Sequence, residues 1–324
     1  MKLTNFMIHY ARVLGRRYLP ERTIEAMRKP FRFIRSRKRA TARKEIRPFY
    51  LEDLTRSLKS AGIESGDILM VHSSLSRIGN VDGGAETVIR SFLDAVTVEG
   101  TIIMPCYNSA EAVLKEMRIG KYIDLRTSPS ATGKITEAFR KWPNVFRSSH
   151  PFSSACALGK QAEYVTSGHA QGPSVCHTES PVGRLVKLQG KVIGIGIPIA
   201  QGLGVAHFLE DTWSEFPFEV HVPPRSIKYI DSIGHEVLRD IIRFDPIVSR
   251  TRIDHPEGSW ICEKLTAHLE KNGILKAFHY GQADSWLMDS VELFDELKRL
   301  AAKGVTMYLT KDKLTIENSD VDNW

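Results

Sequence analysis

The chain has 324 residues, enough for one large α/β unit or two fused lobes. At 42% apolar and 26% charged residues it has neither a disordered nor a membrane-spanning composition, and no apolar run reaches the roughly 18 to 20 residues that cross a bilayer. The net charge of +7 is uneven: residues 1–47 hold fifteen Lys and Arg against three Glu, whereas residues 48–324 hold thirty basic against thirty-five acidic groups.

Residues 1–47 read as a basic extension. Phe6, Tyr10, Val13, Leu14 and Tyr18 recur at near-helical spacing among Arg12, Arg16 and Arg17, ahead of "RKPFRFIRSRKRATARK". Such a segment can lie on an anionic membrane surface or dock on protein, and both readings stand. No nucleic-acid recognition motif accompanies the charge, so no nucleic-acid partner is expected. The first residues lack an apolar stretch followed by a small-residue cleavage site, which predicts a cytoplasmic protein, with peripheral contact at the inner membrane surface if the extension binds lipid.

From residue 48 the pattern alternates. "LEDLTRSLKSAG" puts Leu51, Leu54, Leu58 and Ala61 on one helical face, "DILMVH" is a short buried strand, "GGAETVIRSFLDAV" is helical and "GTIIMP" is a second buried strand. This βαβ order predicts parallel pairing, with ligand groups at the strand C-terminal ends. "ATGKITEAFRKW" reads as a helix closing before Pro143, "SSACALG" as a strand, "SPVGRLVKLQ" as a helix and "KVIGIGI" as a third apolar strand; "GLGVAHFLEDTW" opens another helix. After residue 214, "FPFEVHVPP" and "SIKYIDSIGHEVLRDIIRF" carry a hairpin signal, followed by helices around "WICEKLTAHLEKNG" and "SVELFDELKRLAAKG". The expected organisation is an extension over 1–47, a body over 48–314 with a second lobe over roughly 214–290, and a polar tail over 315–324.

Several motifs fail. "GIGIPIAQGLG" lacks the G-x-G-x-x-G spacing, "HEVLRD" has Arg239 where a zinc protease needs its second histidine, and neither G-x-S-x-G nor a Walker A string occurs. Cys106, Cys156, Cys176 and Cys262 are scattered without a C-x-x-C pair, which argues against a disulfide framework or zinc cage and predicts no metal.

Three loops hold the useful chemistry. "VHSSLSRIGNVDGG" places His72, Ser73, Ser74 and Ser76 after a strand, with Gly79 allowing close backbone approach. It suits phosphate binding, or it is a serine-rich helix cap. "RSSHPFSS" offers Arg147, His150, Ser153 and Ser154 as ligand contacts or as a hydrogen-bonded loop. In "GVAHFLED", His207 and Glu210 stand three apart and His207 and Asp211 four apart on one helix. A carboxylate beside an imidazole raises its basicity and can fix its tautomer for accepting a proton, although isolated pairs of this kind are commonly structural.

The strings "GDILMVHSSLSRIG", "GGAETVIRSFLDAV", "GTIIMPCYN", "RTSPSATGKITEAFR", "RSSHPFSSACALG", "ESPVGRLVKLQGKVIGIGI", "AHFLED" and, more weakly, "GQADSWLMDS" run in order over roughly residues 50 to 290. As a set they resemble the aminoglycoside 3-N-acetyltransferases. The resemblance implies an α/β/α layered fold, two lobes around a cleft, in which acetyl-CoA meets an amine of an amino sugar or aminoglycoside. It implies that His72, Ser73, Ser74, Leu75, Ser76 and Gly79, with Pro105 and Tyr107, hold CoA. It makes His207 the general base and Glu210 its support, with His150 a further catalytic histidine and Glu137 and Asp211 substrate contacts. An ammonium must lose a proton before it attacks a thioester, so an imidazole that titrates near neutrality is a suitable acceptor. Direct transfer in a ternary complex is expected, with a ping-pong route through Cys106 as the poorer alternative.

Departures from the resemblance are the basic extension, Asn80 where an aromatic is common, and Phe208 where a smaller aliphatic is usual. The acceptor can equally be a nucleotide- or lipid-linked amino sugar, and a CoA- or sugar-binding module without catalysis or a hydrolase using Ser73 are the competing classes. A homo-oligomer is compatible with all of these.

Overall fold

The computed structural model describes residues 47–308 except 109–112, 115, 116, 118, 119, 121, 250 and 254–258. The chain divides into two units, Met1–Pro48 and Phe49–Trp324, and the elements below belong to the second. The basic helix expected within residues 1–46 and the polar tail over 315–324 lie outside the described residues.

The strands are β1 (Ile68–Ser73), β2 (Thr101–Pro105), β3 (Ile123–Asp124), β4 (Phe146–Arg147), β5 (Ala155–Gly159), β6 (Lys191–Ile195), β7 (His221–Ile230), β8 (Glu236–Phe244), β9 (Leu275–Tyr280) and β10 (Ala283–Asp289). The helices are α1 (Leu51–Ser60), α2 (Leu75–Ile78), α3 (Ala85–Val96), α4 (Lys134–Arg140), α5 (Ala162–Ser167), α6 (Pro181–Lys187), α7 (Gly204–Thr212), α8 (Pro246–Ser249), α9 (Ser259–Lys271) and α10 (Ser290–Ala302).

Seven strands form one sheet in the order β4-β5-β2-β1-β6-β10-β9. The expected parallel pairing holds at its centre, where β1 lies between β2 and β6. Outside that centre the neighbours run antiparallel: β5 against β2, β4 against β5, β10 against β6 and β9 against β10. The sheet is therefore mixed. Side chains alternate across it with period two. Leu69, Val71, Ile102, Met104, Ile193 and Ile195 pack with α1, α3 and α4 on one face. Met70, Ile103 and Val192 pack with α5, α6, α7, α9 and α10 on the other. This is the expected α/β/α layering.

Helix starts follow local chemistry. Ser180 caps α6 by accepting from Gly183 N at 3.1 Å, with Pro181 at the first helical position where no N–H is needed. Asp289 caps α10 by accepting from the N–H groups of Val291 and Glu292 at 2.8 and 3.1 Å.

Of the stretch 214–290 expected as a second lobe, only residues 221–244 form a separate sheet, in which the β7–β8 hairpin pairs with β3. The β7 register shifts between Val222 and Arg225, across two prolines that cannot donate to the ladder. Residues 275–289 instead supply β9 and β10, which complete the main sheet.

Candidate active site

Because β1 and β2 run parallel, both deliver their C-terminal ends to the same edge of the sheet. A groove of about 380 Å³ opens there, lined by His72, Ser73, Ser74, Arg77, Pro105, Tyr107, Thr132, Thr136, Gly196, Ile197 and Gln201. Burial pushes the His72 imidazole down to about 4, so it is neutral at physiological pH. Its Nε2 and the Ser73 hydroxyl are shut off from solvent and have no hydrogen-bond partner among the described residues. The opposite wall is set by the Thr132 hydroxyl, which donates to Pro105 O at 2.8 Å and lies 2.9 Å from the Thr136 hydroxyl. Below the floor, Trp286 donates its indole N–H to Ile197 O at 2.9 Å. A Cβ at Gly194 would lie 2.0 Å from that indole, so only glycine allows this packing.

The histidine on α7 is part of a chain of hydrogen bonds. His207 Nδ1 lies 2.6 Å from Glu210 Oε2, which also accepts from the Tyr308 hydroxyl at 3.0 Å. His207 Nε2 lies 2.6 Å from Arg252 Nη1. A guanidinium can only donate, so Nε2 carries the lone pair and the proton resides on Nδ1, facing the carboxylate. Phe244 packs on the imidazole at 4.4 Å between centroids, tilted by 38°. The His207 side chain keeps 18% of its surface exposed while that of Glu210 keeps 2%, the usual arrangement of an accessible base on a buried support.

His207 and Glu210 do not line the groove, and the chain between Gln201 and α7 links the two. Gln201 lines the groove, α7 begins at Gly204, and a Cβ at Gly202 would lie 3.4 Å from the His72 ring. The Tyr107 phenol, also in the lining, is held above its ordinary value by burial first and by Cys176 second, against an opposing pull from the Arg252 charge. The same guanidinium therefore acts on Tyr107 and on His207.

Not every predicted site residue arrives here. Leu75, Ser76 and Gly79 lie outside the groove lining. Leu75 packs on the core and Ser76 is exposed with its hydroxyl 3.2 Å from that of Ser74. Gly79, at φ +104°, lets the turn close on Gln282. Asp211, expected to touch substrate, has a fully buried side chain: it accepts from Cys176 N at 2.7 Å and meets His221 Nε2 at 2.6 Å. Burial lowers the His221 affinity for protons, but the Asp211 hydrogen bond and charge outweigh it and raise the net value. Asp211 thus anchors the end of α7 to β7 and presents no atom to a ligand.

Glu137 binds Arg140 at 2.8 Å, Lys141 at 2.9 Å and Ser130 N at 2.8 Å. Arg140 first, and then Ser130 N–H and Lys141, hold it down at about 2. It lines a separate groove with Arg90, Lys134 and Trp142. His150 is 1% exposed and stacks on His169 at 4.7 Å, with Phe152 N–H donating to its Nδ1 at 3.3 Å and its Nε2 without a partner among the described residues. Burial first, then His169 and His177, hold it well below the ordinary histidine range. Cys106 is a free, fully buried thiol. Among the described residues no cluster of three His, Cys, Asp or Glu is placed to hold a metal ion.

Arg252, Tyr308, Phe244, Thr132 and Gln201 escaped the sequence reading. The first three lie 37 to 101 residues from His207 and belong to no motif, so only the fold brings them to it. Thr132 and Gln201 stood inside strings that carried the resemblance or adjoined it, and hydroxyl or amide groups just past a strand were the available signal.

A model of the aminoglycoside 3-N-acetyltransferase family matches residues 70–302. Aminoglycoside N(3)-acetyltransferase VII of Streptomyces paromomycinus is 30% identical over 264 residues, which is 75% of this chain and 88% of that protein. Among solved structures, AAC-IIIb in a binary complex with CoASH superposes with a TM-score of 0.67 at 24% identity, covering 79% of this chain and 98% of the other. AAC-VIa bound to sisomicin superposes with a TM-score of 0.68 at 22% identity, covering 79% and 99%.

Proposed function

The chain belongs to the aminoglycoside 3-N-acetyltransferase family of acyltransferases, and from that premise we propose that it transfers acetyl from acetyl-CoA to an amine of an aminoglycoside or amino sugar, with His207 as general base. The observation that carries the reading is the His207–Glu210 pair beside a groove whose lining includes two buried, unpartnered polar atoms, His72 Nε2 and Ser73 Oγ. Those atoms fit a ligand that brings amide or hydroxyl groups, as the pantetheine arm of CoA does. Pro105, Tyr107 and Ser74 complete the wall on which that arm would lie.

Acetyl-CoA supplies an activated acyl group as a thioester. The acceptor, already a neutral amine, attacks the thioester carbonyl with its nitrogen while His207 Nε2 takes the N–H proton released as the N–C bond forms. As the C–S bond breaks, the sulfur leaves as thiolate and recovers the proton from the imidazolium. Glu210 keeps the Nδ1–H tautomer in place and stabilises the positive ring that forms in between, the part a buried carboxylate plays beside any catalytic imidazole. Tyr308 holds the carboxylate oxygen in turn. Direct transfer in a ternary complex is favoured over an acyl-enzyme because Cys106 is a free thiol with no exposed surface for a thioester to reach.

Thiol release from acetyl-CoA tests the reading. Release that requires an added amine supports transfer, whereas amine-independent release makes the protein a thioester hydrolase. The basic extension makes a lipid-linked acceptor at an anionic membrane a second reading, motivated by the charge split. Unchanged partitioning on anionic vesicles after deletion of residues 1–47 removes it.

A further inference from the structure

Arg147 reaches the groove wall from behind. It lies on β4, the edge strand of the main sheet, and its side chain passes Ser154 to reach Cys106, one residue beyond β2. Nη1 donates to Leu125 O at 2.5 Å and to Ser128 O at 2.6 Å. Nη2 donates to Cys106 O at 2.7 Å and to Ser154 Oγ at 3.1 Å, and Nε donates to the same hydroxyl at 3.2 Å. A guanidinium carries five N–H donors in a rigid plane, and all five are engaged, each by a neutral oxygen. No donor is left for a ligand, so Arg147 belongs to the hydrogen-bonded loop reading of "RSSHPFSS" and not to the ligand-contact reading.

The oxygens it holds belong to the two stretches that build the wall of Pro105, Tyr107 and Thr132. Residues 106–108 and 128–133 lie in no helix or strand, so side-chain bonds decide their geometry. Three successive carbonyls are fixed in three ways. Pro105 O accepts from the Thr132 hydroxyl at 2.8 Å, and Tyr107 O accepts from Ala131 N–H at 3.0 Å. Between them, Cys106 O accepts from Arg147 and from the buried Ser154 hydroxyl at 2.6 Å. Ala131 and Thr132 follow shortly after Ser128, whose own carbonyl is held by Arg147. One guanidinium therefore anchors both stretches.

We propose that Arg147 is a positioning residue of the donor groove: without touching acetyl-CoA or the acceptor, its planar fork sets the wall of Pro105, Tyr107 and Thr132 to the shape that receives the acetyl donor. The proposal rests on CoA occupying this groove. Geometry is what the site asks of the residue. An ammonium offers three donors around one point and cannot reproduce the planar five-bond span, so lysine is no substitute.

Calorimetric titration with CoA alone reads the wall without an acceptor. Arg147→Ala should weaken CoA affinity by about tenfold, the scale of leaving a wall to be ordered on binding, and Arg147→Lys should stay within about threefold of Arg147→Ala. Arg184→Ala is the control, because the Arg184 guanidinium clamps Tyr164 O, Ser167 Oγ and Glu179 away from the groove lining. It should lower the melting temperature and leave CoA affinity unchanged. Ser154→Ala removes the hydroxyl shared by Nε and Nη2, keeps the cation, and should weaken CoA affinity by about threefold even if Arg147→Ala does not fold. Affinity unchanged in Ser154→Ala and in every Arg147 variant that folds, fully restored by Arg147→Lys, or lost equally in Arg184→Ala overturns the inference alone. Failure of the unaltered protein to bind CoA overturns the donor reading and this inference with it.

Discussion

His207 Nδ1 and Glu210 Oε2 lie 2.6 Å apart across one turn of α7, and the carboxylate oxygen is further fixed by the Tyr308 hydroxyl. The carboxylate is almost wholly buried, so its charge acts on the imidazole with little screening from water. Glu210→Gln keeps the shape and removes the charge. General base catalysis as a whole contributes ~10²–10⁴, so this change should lower kcat by about tenfold to a hundredfold, with the KM for acetyl-CoA little altered. Steady-state kinetics with acetyl-CoA varied checks it, and an unchanged kcat would separate Glu210 from the chemistry.

Asp211 is the second carboxylate of the same helix and acts differently. Its oxygens take the Cys176 N–H and His221, and it is wholly enclosed. Asp211→Ala leaves a buried donor and a half-buried histidine without their acceptor, which should cost about 3 to 5 kcal/mol of stability. Urea unfolding should show the midpoint move down, with residual activity in the folded fraction. A variant that folds as stably as the unaltered protein but loses acceptor affinity would instead place Asp211 at the ligand.

How far the sequence could be read differs between these two residues. The i, i+3 spacing of His207 and Glu210 on an amphipathic helix is a local fact, and the helix places the pair as expected. Asp211, one residue on, looked equally available; its direction depends on β7, whose His221 comes ten residues later from another sheet. Strands β1, β2 and β6 were legible because each is a continuous apolar run buried on both faces. Strands β9 and β10 were not, because "LKAFHY" is an edge strand with exposed Lys276, Ala277 and His279, and "ADSWLMD" carries only a short apolar centre. In the groove at the ends of β1 and β2, His72, Ser73 and Ser74 were legible as polar groups directly after a buried strand. Leu75, Ser76 and Gly79 were not separable from them, because the turn of α2 that carries them away from the groove is four residues long.

Acid should unfold the protein through its buried imidazoles. His72 and His169 are pushed down by burial, to about 4 and about 3, from an ordinary value of 6.5, so both stay neutral in the fold while the unfolded chain protonates them. Their contribution is complete above pH 6.5 and is lost as pH falls from there towards 4 and then 3. Each such group gives a slope of about 1.4 kcal/mol per pH unit within its window. Below 4.5 the loss should steepen as Glu137, held at about 2 chiefly by Arg140, gives up its own contribution. Denaturant titrations at pH 7.5, 6 and 5 should give falling midpoints, and equal midpoints at pH 7.5 and 5 would mean that these rings are hydrated in the native state.

Gly194 is a packing requirement at the groove floor. A Cβ there would meet the Trp286 indole at 2.0 Å, and that indole holds Ile197 O. Gly194→Ala should destabilise by about 1 to 3 kcal/mol through overpacking and weaken acetyl-CoA binding by displacing the 196–197 turn. Thermal melts and calorimetric titration with CoA check the two parts. Unchanged CoA affinity in a destabilised variant would put the acetyl donor elsewhere.

The central claim is that the His207 imidazole takes the proton from the acceptor nitrogen while the acetyl thioester lies in the 72–74 groove. Its most direct measurement is a mass-spectrometric time course of N-acetylated product for the unaltered protein and His207→Ala, each saturated with acetyl-CoA and with CoA affinity measured in parallel. The expected result is a loss of about a hundredfold or more in product formation with CoA affinity retained. Equal product from both proteins, or an acetylated enzyme that passes its acetyl group to amine without His207, would contradict it.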